Sequence, residues 1–143
     1  MRYWWVNQNQ TYRYEVPGGF LWSPKTRADG ARNYFYDSMT EVQPGDMIFS
    51  YSGTLIMAVG VAQRSAYSAP KPDFDSAGEN WSNVGWYLET EFSELASPIR
   101  PKEFMDQIRP HLAEKYAPLQ ENGSMGEDKS EWEIGYFLRR LQE

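Results

Sequence analysis

Cysteine is absent from all 143 residues, and histidine occurs once, at His111. Without thiols the chain has no disulfide, thiolate metal site or cysteine nucleophile, a composition that fits a reducing, cytoplasmic setting. One histidine cannot build an HNH nuclease centre, a two-histidine zinc site or the zinc centre of nucleobase deaminases. Neither phosphate-cradling glycine loops (GxGxxG, GxxxxGK[ST]) nor the nucleophile elbow GxSxG occurs. No run approaches the roughly 20 apolar residues of a membrane span, and no basic segment leads into an apolar stretch at the N-terminus. A membrane, a metal and a cofactor are therefore not expected. Two carboxylate pairs remain, Asp73 with Asp75 and Glu89 with Glu91. The first falls in a Pro-rich loop and the second on the polar side of a strand, so both read as solvated charge rather than catalysis.

Aromatic residues, by contrast, are abundant: 16% of the chain, with six tryptophans and ten tyrosines. An apolar share of 41% and a charged share of 24% describe a soluble globular protein, and the length describes one domain over residues 1–143. Net charge is −6 but uneven, since residues 1–70 carry six basic and five acidic side chains and residues 71–143 carry eight and fifteen. A bulk basic surface for nucleic acid is excluded, whereas a local one is not. Lys25, Arg27 and Arg32 stand together after Trp22 and are candidates for phosphate contacts, with simple solvation as the competing reading.

The hydrophobic pattern is that of strands. Residues 2–8 read as a first strand, and Pro17-Gly18-Gly19 then punctuates before the short apolar step Phe20-Leu21-Trp22. Residues 31–41 read as a short helix. Pro44-Gly45-Asp46 turns into Met47–Tyr51, which Ser52-Gly53-Thr54 joins to Leu55–Ala62 as a hairpin. The Pro- and Gly-bearing stretch from Ser65 to Ser82 is long for a compact domain and is a candidate binding loop. Val84, Trp86, Leu88, Thr90 and Phe92 then alternate with more polar residues, the period of a half-buried strand, and this places Trp86 in the core. Pro101 opens a helix over Phe104, Met105 and Ile108 that Pro110 stops. Ser130-x-x-Glu133 resembles a capping box, with Ile134, Phe137, Leu138 and Leu141 on one face of a closing helix.

The opening segment, Tyr3-Trp4-Trp5-Val6-Asn7-Gln8-Asn9-Gln10, sets indole faces beside carboxamides. With Trp22 and Ser23 this is the residue set that holds a flat heterocycle, although such a strand by itself reads first as packing. Together with Gly19–Lys25, Asn33-x-Phe35-Tyr36, Val42–Ser50, Gly60-Val61-Ala62, Gly78–Trp81, Gly85-Trp86, Pro98–Lys102 and Lys115–Gln120, its order closely resembles the N-terminal EVE domains of modification-dependent HNH restriction endonucleases. The resemblance covers nearly the whole chain, and the order carries it more than any single piece.

EVE domains are PUA-like, alongside YTH readers of methylated adenine in RNA and SRA readers of methylated cytosine in DNA. The resemblance implies an α+β fold, a PUA-like (EVE) bent β-barrel of five to six strands flanked by short helices, with a pocket for an extruded modified base. By likeness to YTH domains, Trp22 is the expected pocket wall and Ser23 an edge contact, with at least one of Asn7, Gln8 and Asn9 reading the base. Trp81 is the expected second wall and Tyr67 its competitor, while Phe49, Ser50 and Tyr51 are candidates for the floor. Trp4 and Trp5 point to opposite faces of one strand, so one is expected at the pocket edge and the other in the core. The implied partner is nucleic acid, modified DNA first and RNA second, with an HNH nuclease domain that lies outside this sequence. A sensor of free modified nucleosides on the same fold is the alternative, and an enzyme working through carboxylates is a more remote third.

Overall fold

The computed structural model describes residues 1–26, 29–30, 37–104 and 129–131. Its frame is a sheet of seven strands: β1 (Tyr3–Asn7), β2 (Phe20–Pro24), β3 (Met47–Ser52), β4 (Leu55–Ala62), β5 (Tyr67–Pro70), β6 (Val84–Ile99) and β7 (Lys129–Glu131). The order is β2-β6-β4-β3-β1-β7, with β5 pairing β6 off that path. Strand β6 is the spine. Its first half pairs with β2 and β5, and its second half pairs with β4.

The sheet is curled into a bent barrel, as its core shows. Trp4 and Val6 of β1 lie in one apolar cluster with Leu21 of β2, Ile48, Ala62 and Leu88, although β1 and β2 stand far apart in the strand order. Only a sheet whose ends approach each other can place those side chains together. A second cluster, Trp5, Phe49, Tyr51 and Ile56, covers the opposite face. Trp4 and Trp5 thus point to opposite faces as expected, but both are packed in core, at 2% and 0% exposure. Each buried indole finds an acceptor: Trp4 Nε1 donates to Asp46 Oδ2 (3.0 Å) and Trp5 Nε1 to Asn7 Oδ1 (2.5 Å). Their burial removes roughly 4–6 kcal/mol worth of apolar surface from water apiece.

The β3–β4 hairpin forms where the sequence predicts it. Its two-residue turn has Gly53 and Thr54 both at positive φ (58° and 70°), the arrangement that matches the twist of the flanking strands. The alternating strand also forms, with Leu88 and Thr90 buried and Trp86 packed against the inner cluster. Three features depart from expectation. Helix α1 (Tyr12–Gly18) forms where no helix is expected, with Pro17 and Gly18 in its last turn and Gly19 closing it at φ 73°. Residues 67–70, expected in a loop, form β5. Ser130 and Glu131 are paired with Trp5 and Trp4, so the chain is still extended where the capping box predicts a helix start.

Of the helix expected over 31–41, Ser38–Glu41 is a 3₁₀ turn, and Pro101–Phe104 is another. The remainder of both expected helices, His111, and the closing helix beyond residue 131 lie outside the described residues.

Candidate base-binding site

Trp22 is fixed from every side. On β2 it stands opposite Tyr87 of β6, and its Nε1 reaches across that strand to donate to Ala69 O on β5 (3.1 Å). This path runs over Gly85, where a Cβ would come within 2.3 Å of the indole, so glycine is required for the ring to lie down. Trp22 N donates to Glu15 Oε2 at 2.6 Å. Phe74 meets the ring edge-on at 6.2 Å between centroids, and the residue is 1% exposed.

What covers its face is Trp81, 6.4 Å away at an interplanar angle of 30°. A base held between two rings at van der Waals distance needs about 7 Å, slightly more than this separation, and with Trp22 1% exposed its face is closed off from solvent. Trp81 rides on the segment 71–83, which is tied down at a few points. Lys71 Nζ donates to Gly78 O (2.6 Å), Trp81 N to the same carbonyl (2.9 Å), Gly78 N to Gln10 Oε1 (3.3 Å), and Tyr14 OH to Asp75. The positive φ of Gly78 (62°) brings its backbone close beneath the Trp81 ring. Phe20, Tyr87 and Tyr67 continue the aromatic surface, at 5.0 Å for Phe20–Tyr87 and 5.4 Å for Tyr67–Tyr87. Burial raises the phenol pKa values of both tyrosines, and Glu89 reinforces this, so their hydroxyls stay neutral near pH 7.

The other candidates are dispersed. Ser23 follows Trp22 on the strand and faces the opposite way, level with Trp86; its Oγ and Trp86 Nε1 are buried without a hydrogen-bond partner. Ser50 is likewise buried on the inner face with an unpartnered hydroxyl, whereas Phe49 and Tyr51 belong to the outer cluster. Asn7 accepts from Trp5, and Asn9 Oδ1 accepts from Gly53 N at the hairpin turn (2.9 Å). Both serve architecture. Tyr67 donates its hydroxyl to Glu89 (3.2 Å) and lies under Arg64. Lys25 sits over the Trp86 ring at 4.2 Å and donates to Ser68, while Arg27 and Arg32 lie outside the described residues.

Glu15 is the residue that sequence reading missed. Fully buried on α1, its carboxylate accepts from Thr11 Oγ1, from Gln8 Nε2 (3.1 Å) and from Trp22 N. It bridges the chain after β1 to β2 where the barrel has no strand pairing of its own. Nothing in its neighbourhood along the chain signals that role. Phe74 is a second omission; a lone apolar residue inside a Pro- and Asp-bearing loop was its only signal. Among the described residues, no three His, Asp or Glu side chains gather as a metal site, and no helix is long and apolar enough to cross a membrane.

The same fold occurs in several solved structures. A hypothetical protein from Leishmania major superposes with a TM-score of 0.61 at 11% identity, over 99% of this chain and 94% of that one. The DUF55 domain of human thymocyte nuclear protein 1 gives 0.55 at 13% identity, over 99% and 98%. The Pho92 YTH domain, solved in complex with m6A, gives 0.53 at 14% identity, over 99% and 85%. At these identities the likeness is one of fold. No protein-family model matches the chain, and no curated protein is similar to it in sequence.

Proposed function

We propose that this chain is a non-catalytic reader of a modified nucleobase, which it removes from the stack and holds against Trp22, with Trp81 as the opposing wall. The observation that carries this reading is the stacked pairing of those two indoles, 6.4 Å between centroids: one is locked into the sheet, the other is presented by a loop. On binding, the 71–83 loop shifts so that Trp81 stands about 7 Å from Trp22, face to face, and the base takes the space between them. Extruding a base costs a few kcal/mol, and stacking returns roughly 1–3 kcal/mol per base, so the extra contacts of a modified base decide whether binding is favourable.

The sequence resemblance to EVE domains supports a finer version, in which the base is 5-methylcytosine or 5-hydroxymethylcytosine in DNA. In that version the domain works in the cytoplasm as the recognition module of an HNH endonuclease. The likeness in fold to a YTH domain solved with m6A keeps methylated adenine, in RNA or DNA, as the alternative base. Oligonucleotides carrying each of these bases, single-stranded and duplex, test the reading by equilibrium binding. At least one modified base should bind about tenfold more tightly than its unmodified parent; equal affinity throughout would refute it.

One observation favours a second reading, a sensor of free modified nucleosides. Lys25, the described member of the proposed phosphate cluster, is engaged by Ser68 and Trp86 instead of standing free. Binding that weakens steeply with salt supports the nucleic-acid reader, and salt-insensitive binding of nucleosides supports the sensor.

A further inference from the structure

Lys25 and Arg64 lie on opposite faces of the half-sheet made by β2, β6 and β5. Lys25 covers Trp86 and donates to Ser68, and Trp86 packs against the inner cluster, so this cation is committed to the inner face. Trp22 lies on the other face, because side chains alternate along a strand and it is Ser23 that stands level with Trp86. That face has a cation of its own. Arg64 Cζ stands over the Tyr67 ring at 4.7 Å, and Tyr67 meets Tyr87, which is opposite Trp22 in the sheet. Tyr67 is also two residues from Ala69, the acceptor of the Trp22 indole, and on the same face of β5, which sets the two about 7 Å apart along the strand. Two contacts seat Arg64. Its guanidinium lies over Tyr67, and its Nη1 is 3.8 Å from Oε1 of Glu89, the carboxylate oxygen that accepts from Tyr67 OH at 3.2 Å. The ion pair is loose and screened by water, and the Arg64 side chain is 58% exposed, so the side of the guanidinium away from Tyr67 faces solvent. A planar cation already seated on a ring loses little freedom when a second ring stacks on it.

We infer that Arg64 is the stacking surface for the nucleotide next to the extruded base. This rests on the base-reader reading and deepens it: the ligand is a polynucleotide strand, in which one base enters the slot and its neighbour lies on the guanidinium, whose charge also meets the strand's phosphates. Every base has a π-face, so the contact is indifferent to the neighbour's identity. Arg64 thus adds affinity for the strand and none for the modification. Tyr67 and Glu89 are positioning residues in this scheme, and Arg64 is the contact.

The test is equilibrium binding of single-stranded oligonucleotides with one central 5-methylcytosine, 5-hydroxymethylcytosine or N6-methyladenine, each with an intact neighbour or with an abasic site on its 5′ or 3′ side. For the modified base that the wild-type protein prefers, an abasic site on one of the two sides should weaken binding about fivefold or more. Arg64→Ala should weaken binding of the intact strand by a similar factor, lose no further affinity to the abasic site, and keep the ratio between modified and unmodified bases. Arg64→Lys retains the charge without the plane, so the dependence on salt should persist while the response to the abasic site is lost. Lys25→Ala removes the same charge from the inner face and should leave that response at its wild-type size. A purely structural Arg64 would weaken all strands together and preserve the response. An abasic response that is absent in wild type, or that survives in Arg64→Ala, overturns this inference and leaves the reader standing if modified bases are still preferred to their parents. Failure to distinguish any modified base from its parent overturns both.

Discussion

Trp5 and Trp22 are equally shut off from solvent, at 0% and 1% exposure, but they are covered in different ways. Trp5 lies between β-strands and their side chains, Phe49, Tyr51 and Ile56, all held by the backbone ladder of β1, β3 and β4. Trp22 is just as firmly based, over Gly85 and bonded to Ala69 and Glu15, yet its outer face is closed by Trp81 and Phe74 from a single loop. Exposure does not distinguish the two indoles. What separates them is whether the cover belongs to the sheet or to a loop, and in the proposed reader that loop cover is the part that moves.

The largest test of that contrast is Trp5→Ala. It should cost about 3–5 kcal/mol in chemical denaturation while leaving the ratio of affinities for modified and unmodified bases unchanged in the folded protein. Trp22→Ala would cost a similar amount, so it is a poor probe of binding; the aromatic surface it leaves behind is also part of the fold.

Asp46→Ala comes next, at about 2–3 kcal/mol, because it strands the buried indole N–H of Trp4 and the amides of Arg2 and Gln43. Burial works against the Asp46 charge. The hydrogen bonds from Arg2 N, Gln43 N and Trp4 Nε1 outweigh it and hold the carboxyl below its ordinary pKa. The native state thus favours the carboxylate, and the stability it contributes is fully present above the unfolded value of about 3.9 and is lost as pH falls through the lower folded value. Acid unfolding followed by circular dichroism should accordingly show a flatter dependence below about pH 4 in Asp46→Ala than in wild type.

Gly85→Ala should have a smaller effect on stability, about 1–3 kcal/mol, by driving a methyl group into the Trp22 ring and Ser23 O. Its effect on base discrimination should exceed that of Trp5→Ala, since it displaces the wall itself. A Gly85→Ala protein with unaltered discrimination would remove Trp22 from the site.

How legible this was varies along the chain for physical reasons. The β3–β4 hairpin and the first half of β6 were readable because their signals are local: a Gly-containing turn between apolar runs, and strict alternation from Val84 to Phe92. Helix α1 was not, because Pro17, Gly18 and Gly19 are breakers whether they end a helix or fill a loop. β5 was hidden for a related reason, as Tyr67–Pro70 becomes a strand only by pairing with β6. At the candidate site, Trp22 and Trp81 were both named from sequence and the fold brings them together. Period-two geometry, however, turns Ser23 to the other face, and Asn7 and Asn9 are spent on Trp5 and the hairpin turn. Glu15 carries no sequence signal because its partners, Gln8, Thr11 and Trp22, are assembled only when β1 and β2 approach.

The most direct measurement is the ratio of dissociation constants for an oligonucleotide with its preferred modified base and the same strand unmodified, in wild type and in Trp81→Ala. A movable second wall predicts a wild-type ratio of about tenfold or more that falls close to one in the variant. A ratio that persists or rises when Trp81 is removed would contradict the account and make that ring a plug over Trp22 rather than part of the reader.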